Sequence, residues 1–189
     1  MFSLISFTRQ WASVYKPMQH GRKDARGRVR KRFMCIENIA QLANFAKELQ
    51  SAESPFVAVE TNIGGTLTER FMSPEYNVYF FVMGKGKLQD NDGEDADTKQ
   101  EAMEHAVKFL MYLRQHKEEV NAKGMGMDGA SMIDTDNVRF ETFGPFMNRW
   151  FCVGISLFGL EKMGCINPDD YVSQAVSYTH LTLPTNSLV

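Results

Sequence analysis

The basic side chains of one short segment are the residues best suited to chemistry in this sequence. Between Lys16 and Arg32 eight residues are basic and one is acidic, whereas the whole chain of 189 residues carries a net charge of −2. Such a row of cations can neutralise phosphates in a salt-dependent way, or can lie against an acidic surface of the same or a neighbouring subunit. We therefore predict partner or nucleic-acid contacts from seven side chains: Arg22, Lys23, Arg26, Arg28, Arg30, Lys31 and Arg32.

Acidic side chains are concentrated in a second segment, residues 90–101. Four of them match positions 1, 3, 5 and 12 of a calcium-binding loop: Asp90, Asp92, Glu94 and Glu101. Asp95 stands where such a loop needs a glycine for its sharp turn, and the preceding segment is predicted to be a strand instead of a helix. We interpret the segment as a solvated acidic loop that caps the next helix, with weak calcium binding as the alternative.

The remaining motifs do not assemble a catalytic, cofactor or metal site. Residues 124–129 match G-x-G-x-x-G, but they follow a predicted helix and precede a strand, the reverse of the order that dinucleotide binding requires. His105 and His116 lie about 16 Å apart if they share a helix. No nucleophile–base pair can be named, so the sequence predicts no enzymatic activity, no cofactor and no metal. The cysteines, which show no C-x-x-C spacing, are Cys35, Cys152 and Cys165.

Hydrophobic periodicity predicts the elements that must position these residues. An amphipathic helix is expected to end near Lys16, and the glycines and like charges after it favour an extended or mobile arm. Further helices are predicted over 38–50 and 98–120, the longer one with Asp97 as its N-cap. Its apolar stripe comprises Met103, Ala106, Val107, Leu110 and Leu113. Strands are predicted over 56–63, 76–83, 138–143 and 150–158.

The order of these elements predicts the fold class. It leaves no room for repeated strand–helix–strand crossovers, which argues against a doubly wound parallel sheet. We expect an α+β fold: an antiparallel or mixed sheet of about four strands with a long helix packed across one face. The strand 76–83 is apolar on both faces and is predicted to be central. The strands 138–143 and 150–158 are predicted to form a hairpin, in which Gly154 marks close approach of a bulky neighbour.

Four regions are expected along the chain. Residues 1–36 form an N-terminal helix and basic arm, 37–160 an α+β domain, and 161–175 a truncated C-terminal segment. Residues 176–185 look like an in-frame translation of a transposase adapter from sequencing libraries, so we expect 176–189 not to be natural sequence. The alternative is a genuine polar tail.

The compartment is predicted from what the sequence contains. An odd number of cysteines without disulfide spacing fits a reducing cytosol. The first residues lack the basic start and long apolar stretch of a signal peptide. The longest apolar stretch has about nine residues, whereas a membrane-spanning helix needs about 20. We therefore expect neither export nor a membrane.

The layout of residues 37–158 resembles small structural proteins of tailed bacteriophages and prophages, of the tail-terminator or head–tail completion type. The resemblance implies a non-enzymatic virion-assembly subunit that forms a homo-oligomeric ring, contacts other virion proteins, and passes from the host cytoplasm into the virion. It carries over no site residue. The alternative is a nucleic-acid-binding accessory protein that uses the basic arm 16–32. The resemblance is carried by Phe56–Ile63, Tyr76–Met83, Thr98–Val120 and the closing hairpin 140–157.

Overall fold

A computed structural model describes residues 3–39, 52–68, 71–84, 92–123, 132–146 and 150–162. These residues form two helices and one seven-stranded sheet, which confirms the α+β class. The estimate of about four strands was too low, because three strands of two to four residues are too short to show a period in the sequence. The elements are α1 (Leu4–Val14), β1 (Phe33–Ile36), β2 (Phe56–Glu60), β3 (Gly64–Leu67), β4 (Phe71–Met83), α2 (Asp92–Ala122), β5 (Ile133–Phe146), β6 (Trp150–Gly159) and β7 (Glu161–Lys162).

The sheet is built around β4. Its main strands follow the order β1-β2-β4-β6-β5, with β1 and β2 parallel and the other neighbours antiparallel. The first half of β4 pairs instead with β3 and β7, and β7 continues the register of β6. The predicted central strand is therefore confirmed as part of β4. The predicted hairpin is confirmed as β5–β6, although β5 is 14 residues long and begins at Ile133.

One face of the sheet carries an aromatic core shared with both helices. Trp11 of α1 lies edge-on to Phe80 of β4 and Phe109 of α2, with ring centroids 5.8 Å and 5.2 Å away. The side chains of α2 that join this core include Ala102, Ala106, Phe109 and Leu113, at helical spacing. The apolar stripe predicted for this helix was placed partly on the wrong side, because Val107, one of its members, is 46% exposed. The core also extends across the boundary expected at residue 37, since α1 and β1 pack on β2.

The opposite face holds a smaller cluster with a polar border. Phe56 and Phe81 stack with centroids 4.5 Å apart, and Trp150 lies edge-on to Phe56. Beside them Glu60 accepts hydrogen bonds from Asn77 and from the Tyr79 hydroxyl, at 2.9 and 3.1 Å. This polar border fixes the Tyr79 ring, which lies over the backbone of the neighbouring β6.

Several predicted segments fall outside the described residues. These are most of the helix 38–50, the glycine motif 124–129, most of the segment 161–175, and residues 176–189. Of the helices that are described, neither is long and apolar enough to cross a bilayer.

Candidate functional site

The basic segment folds into a small, ordered turn, where an extended arm was expected. Lys23 bridges Val29 in antiparallel fashion, and Gly27 turns the chain with φ of 77°. Asp24 organises the turn: its Oδ1 accepts from the backbone N–H groups of Arg26 and Arg28 at 2.8 and 2.9 Å. The N–H of Arg28 is the main cause of a lowered pKa at Asp24. Repulsion among the neighbouring cations opposes a compact turn. The Asp24 carboxylate stabilises the turn against it by accepting these two hydrogen bonds. We refer to residues 21–31 as the basic turn.

The structure separates the seven predicted contact residues into two groups. Arg30 is partly buried, and its guanidinium donates to the Gln19 side chain at 3.1 Å. Arg28 also bonds Asp24, although 67% of its side chain stays exposed. The cations exposed on the basic turn are Arg22, Lys23, Arg26, Arg28 and Lys31.

Arg32 lies apart from the exposed group. Its guanidinium donates to the carbonyls of Pro17, Ser54 and Pro55, and it pairs with Glu53 at 3.3 Å. Only 12% of the side chain is exposed, and burial lowers its pKa. Arg32 therefore joins the basic turn to the residues that lead into β2, and its two terminal guanidinium nitrogens donate inside the fold.

The acidic segment does not form a calcium loop in the part that the structure describes. Helix α2 begins at Asp92, so Asp97 lies inside the helix and is not its N-cap. Positions 92 and 101 are separated by about 14 Å along a regular helix. Two supposed ligands therefore cannot converge on one ion. No metal-binding cluster is found within the described ranges.

The histidines of α2 belong to the packing of the helices. His105 is buried, and its Nδ1 lies 2.9 Å from the Tyr15 hydroxyl. Burial lowers the pKa of His105, so the ring is neutral at neutral pH. His116 lies against Phe7, with ring centroids 5.2 Å apart. The two rings contact different parts of the N-terminal segment, since Phe7 lies within α1 and Tyr15 directly follows it.

The cysteines with described positions differ in access. Cys152 is completely buried, and burial raises the pKa of its thiol well above the ordinary value, which makes it a poor nucleophile. Cys35 is exposed. Cys165 lies outside the described residues.

One surface with several exposed apolar residues was missed by the sequence analysis. It consists of β3 and residues 71–75 of β4, which we call the β3–β4 arm. Leu67 is 71% exposed, Phe71 is 38% exposed, and the neighbouring Ile63 is 60% exposed. In the sequence, only the apolar residues on either side of Gly64 and Gly65 could have indicated this surface. Neither β3 nor residues 71–75 of β4 shows a long alternating pattern.

A cavity of about 590 Å³ lies beside this arm. Its mostly apolar wall joins the start of α1 to β2, β3 and β4, and Gly65 lets the strands approach closely. A Cβ at Gly65 would lie 2.4 Å from the Ser73 carbonyl oxygen. The lining includes Leu4, Ile5, Val59, Leu67, Met72 and Tyr76. The arm and cavity together offer an apolar surface suited to another chain.

Comparison with known proteins adds no family to this description. No protein-family model matches the sequence, and no match is found among curated proteins.

Proposed function

We propose that this protein is a non-enzymatic virion-assembly subunit of a phage or prophage, of the tail-terminator or tail-completion type, that acts through contacts with copies of itself and with other virion proteins. The observation that carries the proposal is the exposed apolar β3–β4 arm beside its cavity. Monomeric soluble proteins seldom expose contiguous apolar patches larger than about a few hundred Å². An assembly subunit gains from it, because contact with a neighbour removes that surface from solvent.

The arm and the cavity form one apolar surface, because Ile63, Leu67 and Met72 also line the cavity. A contact between copies would bury arm and cavity together, and it can close into a ring where the facing patches of the two copies differ. Complete burial of Ile63, Leu67 and Phe71 would contribute about 1.5–3 kcal/mol for each side chain, before the cost of association is subtracted. The ring is expected to assemble in the host cytoplasm and then to enter the virion.

The contact is tested with two matched substitutions. Leu67→Glu places a charge on the arm, and Met111→Glu places the same charge on α2, where Met111 is 56% exposed. By sedimentation velocity, the Leu67 variant should lose higher oligomers that the wild type and the Met111 variant retain. Equal oligomerisation of all three proteins would contradict the arm contact.

The biological role is tested in the genome that carries the gene. Deletion should yield particles with tails of abnormal length or with heads and tails unjoined, as seen by electron microscopy. Complementation with the wild-type gene should restore normal particles, whereas the Leu67→Glu gene should not. Normal infectious particles after deletion would overturn the proposal.

A second candidate function is nucleic-acid binding by the basic turn. Its support is that Asp24 is used to order the turn, while Arg22, Lys23, Arg26 and Lys31 keep exposed side chains. Because the backbone of the turn is already ordered, these cations can contact phosphates at the cost of side-chain ordering alone. The protein would then act as an accessory to DNA.

A salt series distinguishes this candidate from assembly. The double variant Lys23→Gln/Arg26→Gln should lower the slope of log K against log salt by about 2 if both cations contact phosphates. Lys108→Gln on α2 is the control, and Arg32 is kept because it holds the fold. Absence of DNA binding at low salt would remove this candidate and leave the assembly proposal unaffected.

A further inference from the structure

Within the described residues, no strand pairs with the outer edge of β5. β5 is the last strand in the sheet order, and β6 is its only strand partner among the described residues. Near its start, the side chains of Arg114 and Lys117 reach the carbonyls of Thr135 and Ile133. Asp134 accepts from the backbone N–H groups of Asp136 and Asn137. Among the described residues these contacts stop at residue 137, so the outward-facing peptide groups that follow, which do not pair with β6, can pair with another strand.

The other limit of the open edge lies at its end. The register with β6 shifts between Phe143 and Phe146, and Pro145 has no N–H to donate. A regular ladder on the outer side is therefore confined to residues 138–142, which read Val-Arg-Phe-Glu-Thr.

This five-residue segment is complementary to itself when two copies run antiparallel. With Phe140 opposite Phe140 of a second copy, Arg139 lies opposite Glu141, and Val138 lies opposite Thr142. Each pair occurs twice, since the axis is two-fold. Opposite charges in directly facing positions stabilise a sheet, and so do facing aromatic residues. A shift by one residue would place Arg139 against Phe140 and lose both ion pairs.

The side chains of the segment divide between the two faces of the sheet. Arg139 and Glu141 lie on the same sheet face, in register with Ser156 and Gly154 of β6. The Arg139 guanidinium lies over the Phe158 ring of the inner strand β6, 5.3 Å from its centroid, so it has to turn outward to reach a second copy. On the opposite face, Phe140 is 61% exposed.

From this complementarity we infer that β5 pairs with β5 of a second copy about a two-fold axis at Phe140, which joins the two sheets into one. The partner is another copy of this chain, and the register is set by two Arg139–Glu141 pairs. The inference goes beyond the proposed function, because it uses the strand edge and not the β3–β4 arm. It holds for a dimer with or without a virion role.

The proposed contact between two β5 edges buries a small area, so the dimer is expected to be weak. Interfaces well below about 1,200 Å² are typical of weak or transient association. Dimerisation should therefore be measured by sedimentation equilibrium up to about 1 mM protein. A wild type that stays monomeric over that range overturns the inference.

Charge exchange tests the register directly. Arg139→Glu leaves two acidic residues facing two acidic residues in the homodimer, and Glu141→Arg leaves four basic residues facing one another. Each single variant should dimerise at least about tenfold more weakly than the wild type, since like charges then lie opposite. An equimolar mixture of the two variants should form a heterodimer, because every facing pair is then opposite in charge.

The mixture separates this contact from a folding defect or another interface. Thermal unfolding of both single variants should occur within a few degrees of the wild type, since the changed side chains are exposed. Leu67→Glu is the matched control and should leave this dimer unchanged. Failure of the mixture to form the heterodimer overturns the register, while loss of association only in the Leu67 variant assigns self-contact to the arm instead.

Discussion

β5 and β6 are the two strands of one hairpin and differ sharply in exposure. Eight of the ten residues of β6 are buried, whereas two of the fourteen residues of β5 are buried. β6 lies between two strands and is apolar at most positions, while β5 has one strand neighbour in the described part of the chain and mixes charges with single aromatic residues. The comparison teaches that the two strands of one hairpin differ in role: the inner strand is part of the core, and the outer strand keeps most of its residues at the surface.

The largest expected effect tests this division within the hairpin itself. Leu157→Ala in β6 removes a completely buried side chain and should lower the free energy of unfolding by about 2–5 kcal/mol. Phe140→Ala in β5 removes a mostly exposed ring and should change it by less than about 0.5 kcal/mol. Urea denaturation of both variants measures the difference. Comparable losses would show that β5 supports the fold as much as β6 does.

The next effect applies the same contrast to the basic segment. Arg32→Ala should cost about 1.5–3 kcal/mol, because carbonyls that now accept from a guanidinium lose their donor. Arg26→Ala removes an exposed side chain and should stay within about 0.5 kcal/mol. Chemical denaturation of the monomer provides the values. The interpretation of Arg32 as a structural residue would be wrong if both changes were equally harmless.

A smaller effect tests how closely other side chains pack on the backbone of β6. A Cβ at Gly154 would lie 2.8 Å from the Tyr79 ring and 3.0 Å from the Phe143 ring, so Gly154→Ala should cost about 1–3 kcal/mol through overpacking. Gly64 is the control, because a Cβ there meets nothing within 4 Å. Thermal melts of the two alanine variants should differ clearly. A melting temperature for Gly154→Ala equal to that of the control would rule out the close packing.

The smallest expected effect is the pH dependence of stability that comes from the buried His105 on α2. Burial lowers the pKa of His105 in the folded chain, a shift that Arg32 favours and that Glu101 and Glu104 oppose. The unfolded chain keeps the ordinary pKa of 6.5 and takes up a proton first, so stability is fully present above that value and falls as the pH drops through it.

A substitution of His105 tests whether this pH dependence of stability comes from its side chain. Urea midpoints measured between about pH 7.5 and about pH 5.5 should fall on acidification in the wild type. In His105→Asn the fall should be shallower, with the part due to the similarly shifted His20 remaining. An identical slope in both proteins would assign the pH dependence elsewhere.

Long periodic segments were the part of the fold that the sequence predicted well. The structure confirms the α+β class, the first helix, the central strand and the closing hairpin. Each of these elements contains a run of apolar residues long enough to show its type. The short strands β1, β3 and β7 were not predicted, since their pairing depends on strands far away in the chain. The calcium-loop alternative failed because the helix extends through residues that could also have formed a loop.

The candidate site was predictable only in composition. The density of cations at 16–32 marked the segment, but residue type could not separate Arg32 from Arg26. Their difference arises from Ser54 and Pro55, which lie more than twenty positions away in sequence. The turn itself depends on Asp24, a single acidic residue whose two backbone contacts reverse the expectation of an extended arm.

The position of β6 has a consequence for how the protein is made. β6 inserts between β4 and β5, yet it is synthesised after both. Until it leaves the ribosome, one side of β4 has no neighbour, and Trp11 and Phe109 can meet only part of their final surroundings. The nascent chain therefore leaves one side of β4 unpaired until residues 150–159 have been made, and the apolar surface exposed in that interval favours binding by a chaperone.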